Sequence, residues 1–278
     1  MTAPSTFAGL ALTRPLVMGV VNATPDSFSD GGEALRPEDA VARGQALLEA
    51  GADILDVGGE STRPGAEPVP VEEELRRAIP AVAALAGKGA VVSIDTRRAA
   101  VMAEAVRAGA AIVNDVTALT GDPESLPLVA RLGVAVVLMH MRGEPRTMQA
   151  DPSYADVVGE VRDCLKGRIG ACEAAGIPRG RVAVDPGIGF GKTVAHNLSL
   201  LKHLDAIAAL GCPVVLGVSR KSFVARLSRN EPPKERLAGS LATALAGVAR
   251  GALILRVHDV AQTVQALAVW RAIEGTGR

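Results

Sequence analysis

The chain has 278 residues, and its 30 Lys and Arg balance 30 Asp and Glu, so its formal net charge is zero; that excludes long-range attraction to nucleic acid or to an anionic membrane surface. Hydrophobic residues make up 48% and charged residues 22%, the balance of a globular protein with a sizeable core, long enough for two average domains or for one barrel. Aromatic residues are only 2%, so that core must be built from Ala, Val, Leu and Ile.

The opening MTAPSTFAGLALTRP has no basic start followed by a long apolar run, so it does not read as a signal peptide. No apolar stretch reaches the length that spans a bilayer. Cys164, Cys172 and Cys212 have no metal-ligand spacing, and their odd number argues against a disulfide framework; a reducing cytoplasm is the expected compartment.

Residues 1–14 are read as an N-terminal extension. After them one alternation recurs along the chain. Apolar runs rich in Val and Ile predict strands at 16–21 (LVMGVV), 53–57 (DILDV), 91–94 (VVSI), 111–113 (AIV), 134–139 (VAVVLM), 182–184 (VAV), 214–218 (VVLGV) and 253–257 (LILRV). Segments with helical spacing separate them at 38–50, 71–86, 97–108, 124–132, 154–175, 196–209, 235–250 and 260–273. Continuous β-branched runs indicate strands buried on both faces, as in parallel sheets. Eight strand–helix units match a single (β/α)8 TIM barrel over 1–278. A doubly wound open sheet is the alternative, but no G-x-G-x-x-G follows the first strand. The phrases EAGADIL (49–55), RAGAAIV (107–113) and ARGALIL (249–255) each end a helix, turn on glycine and start a strand, which places them on the structural face of the barrel.

In such a barrel the chemistry sits at the C-terminal strand ends. Those ends read Asn22, DVGGESTRPG (56–65), Asp95, Asn114-Asp115, His140, Asp185, Ser219-Arg220-Lys221, and Arg256 with His258. Taken singly, an Asn or Asp there is usually the N-cap of the next helix. Arg and His have no such use, and capping does not explain acids, an amide and a lysine converging on one mouth. Asp95, Asn114 and Asp185 suit a flat heterocycle bearing several N–H donors. Arg63, Arg256 and His258 suit an anion such as diphosphate. Asn22, with Asp26 and Ser27, offers hard oxygens that fit Mg²⁺ held partly by substrate phosphate. The loops 23–32 and 59–68 are rich in Gly, Pro and Ser and are long enough to close over a substrate.

The stretch VAVDPGIGFGKT (182–193) resembles a phosphate-binding loop, yet a G-x-x-x-x-G-K-[ST] pattern needs glycine where Pro186 stands. Proline has no N–H to give a phosphate oxygen. The emphasis therefore falls on Asp185. Gly187, Gly189 and Gly191 are expected to bring Phe190 to the pocket rim, and Lys192 to be a surface or loop-anchoring charge.

The stretches MGVVNATPDSFSDGG (18–32), DILDVGGESTRPGA (53–66), SIDT (93–96), NDVTAL (114–119), LMHMRG (138–143), VDPGIGFGKT (184–193), GVSRKSF (217–223) and RVHDV (256–260) together resemble the dihydropteroate synthase family. The resemblance implies a cytoplasmic, homodimeric TIM-barrel transferase of folate biosynthesis, a target of sulfonamides. It implies the joining of p-aminobenzoate to 7,8-dihydropterin-6-ylmethyl diphosphate, with Mg²⁺ and release of pyrophosphate. On the matching positions, Asp95, Asn114, Asp185 and Lys221 correspond to the pterin-binding set, with Met139 lining that pocket. Arg256 corresponds to the cover of the pterin face and, with His258, meets the diphosphate. Asn22 corresponds to the metal ligand. Thr62 and Arg63 reach diphosphate or p-aminobenzoate; Ser222 and Phe190 contact p-aminobenzoate, with Pro64 above. The catalytic set so implied is Arg63, Lys221, Arg256 and His258. Two positions depart from the family's common pattern: Ala23 replaces Val, and Ile188 replaces Phe. A pterin-dependent methyltransferase shares a similar Asp/Asn/Asp set but has no need of the anion set. An inactive pterin-binding paralogue would have lost loop or diphosphate residues that are present here.

Overall fold

The computed structural model describes residues 4–24, 37–61, 67–144 and 147–275. A short antiparallel hairpin, β1 (Thr6–Phe7) with β2 (Leu10–Ala11), precedes the barrel. Eight parallel strands then close in sequence order: β3 (Leu16–Asn22), β4 (Ile54–Gly58), β5 (Val92–Asp95), β6 (Ile112–Asp115), β7 (Ala135–Met139), β8 (Val182–Asp185), β9 (Val214–Gly217) and β10 (Ala252–Val257), with β10 pairing both β9 and β3. The expected barrel is therefore the observed one, and each predicted strand falls within a residue or two of its place.

Helices follow the strands on the outside: α1 (Pro37–Glu49), α2 (Val71–Ala86), α3 (Ala99–Arg107), α4 (Ser125–Leu132), α5 (Val157–Ala174), α6 (Val194–Lys202), α7 (Asp205–Ala208), α8 (Ser222–Arg226), α9 (Leu237–Val248) and α10 (Val260–Gly275). Two differ from expectation. The helix expected over 196–209 breaks at His203 (φ −115°, ψ 35°), and the break lets Leu200, Leu201, Leu204 and Ile207 all bury on the barrel wall. The five-residue α8 is too short to carry a readable period.

Apolar packing divides into two clusters. The larger lies between barrel and helices and includes Val57, Ile94, Val113, Val136 and Val184. The smaller fills the barrel interior with Leu16, Met18, Ile54, Ile112, Ala135, Val137, Ala183, Val215 and Ile254, and Phe7 of the hairpin joins it. The N-terminal extension is thus the floor of the barrel. The three repeated αβ turns behave as expected: Gly51, Gly109 and Gly251 have φ of 98°, 108° and 100°. Around Gly51, paired bonds from Gly51 N to Leu48 O (2.9 Å) and Ala52 N to Leu47 O (2.9 Å) satisfy the open carbonyls of α1.

Candidate active site

Side chains two residues apart on a strand share a face. Above the apolar plug members Ile54, Ile112, Ala183 and Ile254 stand Asp56, Asn114, Asp185 and Arg256, and Asp95 stands above buried Ser93. The interior is oily at the N-terminal end and ionic at the C-terminal end, so the polar residues share one mouth because of strand parity.

Arg256 is the hub. Its Nε donates to Asp56 Oδ2 at 2.6 Å, and its Nη2 to Asp95 Oδ2 at 2.7 Å. Burial opposes its charge, but the two carboxylates outweigh that, so the guanidinium is held more firmly charged than usual. Asp56 is fully buried and also accepts from Asn114 Nδ2 at 3.2 Å. Asp95 is buried, and its Oδ1 has no hydrogen-bond partner among the described residues. Burial pushes that carboxyl up to about 7, against the pull of Arg256. A buried acceptor left open costs on the order of 1–3 kcal/mol, which an N–H-bearing ligand relieves.

Asp185 lies across the mouth, its Oδ1 accepting from Gly187 N at 2.7 Å. Burial raises its carboxyl as well, opposed first by Lys221. Lys221 donates to Ile188 O, and its Nζ sits 4.6 Å from the centre of the Phe190 ring. Burial pushes this ammonium down to about 8 although Asp185 pulls it up. Met139 is buried at the end of β7, paired in register with Asp185. Ser222 is exposed at the start of α8, and Phe190 is half-buried. His258 follows β10, with Nδ1 3.1 Å from Ser219 Oγ. Asn22 ends β3 with its side chain exposed, in register with Gly58.

Thr62, Arg63 and Pro64, with Asp26 and Ser27, lie outside the described residues. Among the described residues no group of three or more His, Cys, Asp or Glu is arranged to hold a metal ion. Asn22 offers one exposed amide oxygen at the mouth. That fits Mg²⁺ only in its substrate-linked form, where phosphate oxygens and waters supply most ligands.

The turn after β8 behaves as expected in its backbone, and its lysine takes the loop-anchoring one of the two expected places. Gly187, Gly189 and Gly191 have φ of 66°, 83° and 62°. Lys192 is not a surface charge: it is only 3% exposed and donates to His140 Nδ1, His140 O and Phe190 O. Its aliphatic stem and ammonium turn inward because those three acceptors converge behind the turn. Ile188 is fully buried in the outer core cluster, so the departure at 188 changes packing behind the turn. Asp56 stood among the strand-end residues at 56–65 without a role of its own. Its signal was an acid inside a strand buried on both faces, which demands a charged partner.

The model of the pterin binding enzyme family matches residues 18–258. Dihydropteroate synthase from Neisseria meningitidis serogroup B is 50% identical over 95% of this chain and 94% of its own length. The chain belongs to the dihydropteroate synthase family. Among solved structures, dihydropteroate synthase from Xanthomonas albilineans with 4-aminobenzoic acid superposes with a TM-score of 0.91 at 53% identity, covering 97% of each chain. The same organism's enzyme in complex with 7,8-dihydropteroate gives 0.87 at 50% identity over 96% of each. The whole mouth described above lies within the matched residues.

Proposed function

We infer that the chain is a transferase of folate synthesis, which condenses p-aminobenzoate with 7,8-dihydropterin-6-ylmethyl diphosphate to give 7,8-dihydropteroate and pyrophosphate. The observation that carries this reading is the open, buried Oδ1 of Asp95 in a mouth that also holds Asn114, Asp185, Lys221 and Arg256. Asp95, Asn114 and Asp185 take the pterin's N–H groups, Met139 packs on its ring, and Lys221 donates to a ring acceptor. Arg256 covers the pterin face.

The methylene C–O bond breaks with its electron pair leaving on the diphosphate. The aryl nitrogen of p-aminobenzoate then forms the new C–N bond and loses a proton to solvent. Positive charge on the pterin-methyl unit is stabilised by the buried carboxylates Asp95 and Asp185, whose low-dielectric surroundings strengthen the interaction. Arg256, His258 and, from the second loop, Arg63 stabilise the departing anion. Phe190 and Ser222 hold the p-aminobenzoate, with Thr62 and Pro64 closing above. Asn22 would help hold Mg²⁺, which would supply further charge neutralisation to the departing diphosphate.

The protein works as one domain over 1–278 and as a homodimer. Supporting the second copy, Ala238, Ala242 and Ala246 form an exposed small-residue row on α9, and Val269 and Ile273 are exposed on α10. No helix among the described residues is long and apolar enough to cross a membrane. The three cysteines are free thiols, which supports a reducing cytoplasm.

One assay tests the reading: incubation with both substrates and Mg²⁺, followed by detection of dihydropteroate and pyrophosphate. Formation of both is expected, with loss of at least tenfold in rate on adding EDTA. No product would remove the synthase assignment, and full activity without metal would remove Asn22 as a ligand.

A further inference from the structure

The turn 186–191 is held by side chains that reach its carbonyls one by one. Ile188 O accepts from Lys221, Gly189 O from Gln149 Nε2, Phe190 O from Lys192 (3.0 Å) and Gly191 O from Tyr154 Oη (2.9 Å). Gly189 N donates to buried Asn197 Oδ1 at 2.8 Å. Its back is pressed on the chain that leaves β7. A Cβ at Gly187 would stand 1.9 Å from His140 O, and one at Gly191 2.2 Å from Arg142 O. The turn therefore has no slack on that side.

Lys192 differs from the other anchors. It is as buried as a core residue, and its Nζ meets three acceptors: His140 Nδ1 at 3.0 Å, His140 O at 3.3 Å and Phe190 O at 3.0 Å. An ammonium has three N–H bonds, so each finds a partner. Donation to Nδ1 requires that nitrogen to be unprotonated, which makes His140 a neutral imidazole carrying its proton on Nε2. Burial holds His140 well down, to about 3, with Lys192 acting in the same direction. One side chain thus joins the end of β7 to the residue whose ring lies beside Lys221; burial lowers its ammonium to about 7, so all three donors are present below that pH.

We propose that Lys192 and His140 form a buried clasp that sets the 186–191 turn, making Lys192 a positioning residue for Phe190. The clasp touches no substrate. It acts by fixing the Phe190 carbonyl, and hence the place of the Phe190 ring. This rests on the synthase reading for which substrate the turn meets. On that reading the turn faces p-aminobenzoate, so loosening it weakens capture of that substrate more than it slows the bound complex.

The test uses Lys192→Met, which keeps the length and loses all three donors. It also compares His140→Leu with His140→Asn, whose amide oxygen keeps an acceptor near the place of Nδ1. For Lys192→Met and His140→Leu, KM for p-aminobenzoate should rise tenfold or more while kcat stays within about threefold; His140→Asn should recover most of that loss. A lower Tm with KM within twofold of wild type in both Lys192→Met and His140→Leu would overturn the proposal, as would a fall in kcat alone. If Lys192→Met does not fold, the His140 pair decides by the same criteria. Wild-type turnover is the control for the synthase reading. Should that fail, hydrogen exchange of the 187–191 amides judges the clasp by itself: at least tenfold faster in His140→Leu than in wild type supports it, and equal rates reject it.

Discussion

Asp185 and Lys221 face each other at the mouth, and each opposes what burial does to the other's charge. Asp185→Asn should therefore weaken binding of the pterin diphosphate by a hundredfold or more, read by calorimetry, since an amide cannot accept paired N–H bonds as a carboxylate does. An unchanged Kd would remove Asp185 from the pterin set. Lys221, lowered to about 8, carries its charge below that pH and loses it above. The rate should fall as pH passes through 8, and Lys221→Arg should carry that limb to higher pH in whatever activity remains, because guanidinium does not titrate there. Asp56 illustrates the limit of reading residues singly. Its chemistry becomes visible only when Arg256, 200 positions away in sequence, is found 2.6 Å from it.

At the scale of elements, each strand divides its work by height. The lower inward residues fill the barrel, and above them Asp56, Asp95, Asn114, Asp185 and Arg256 line the polar mouth. The β1–β2 hairpin extends the lower layer by inserting Phe7, which is 1% exposed. Phe7→Ala should lower stability by roughly 3 to 5 kcal/mol, measured by urea unfolding, with KM for both substrates unchanged because the mouth is at the opposite end. Changed kinetics would mean the floor and the mouth are coupled. Long periodic helices and β-branched strands were legible in the sequence, as were the three glycine turns. The hairpin, α8 and the break at His203 were not. Two-residue strands and a five-residue helix carry too little pattern, and the break answers to the curvature of a barrel wall built by other segments.

Over the whole molecule, buried titratable groups link stability to pH. Lys192 and Lys221 titrate ordinarily at 10.5, but burial lowers them to about 7 and 8 in the fold. Above pH 7 the unfolded chain thus holds more protons than the folded one, and stability rises with pH. Buried Cys172 and Cys212, pushed from 9 up to about 11, act in the opposite direction above 9. Unfolding free energy should accordingly increase between pH 7 and 9, by about 1 kcal/mol or more, while the rate declines past 8. A flat or falling stability across that window would show that neither lysine is desolvated in solution.

The sequence by itself determined the architecture and the family. Eight β-branched runs separated by helical spacing admit few arrangements, and the motifs at their ends keep one order along the chain. It also singled out Asp95, Asn114, Asp185, Lys221 and Arg256 as candidates, because helix capping does not explain acids, an amide, a lysine and an arginine all at strand ends. Only the tertiary structure decided which of them meet. It showed Asp56 and Asp95 sharing Arg256, left one oxygen of Asp95 open, and decided between the two places open to Lys192, a surface charge or a loop anchor, in favour of a buried anchor bonded to His140. The reason is physical: periodicity records which face of an element is buried. The partner of a buried charge is chosen by closure of the barrel, which brings distant segments within hydrogen-bond reach.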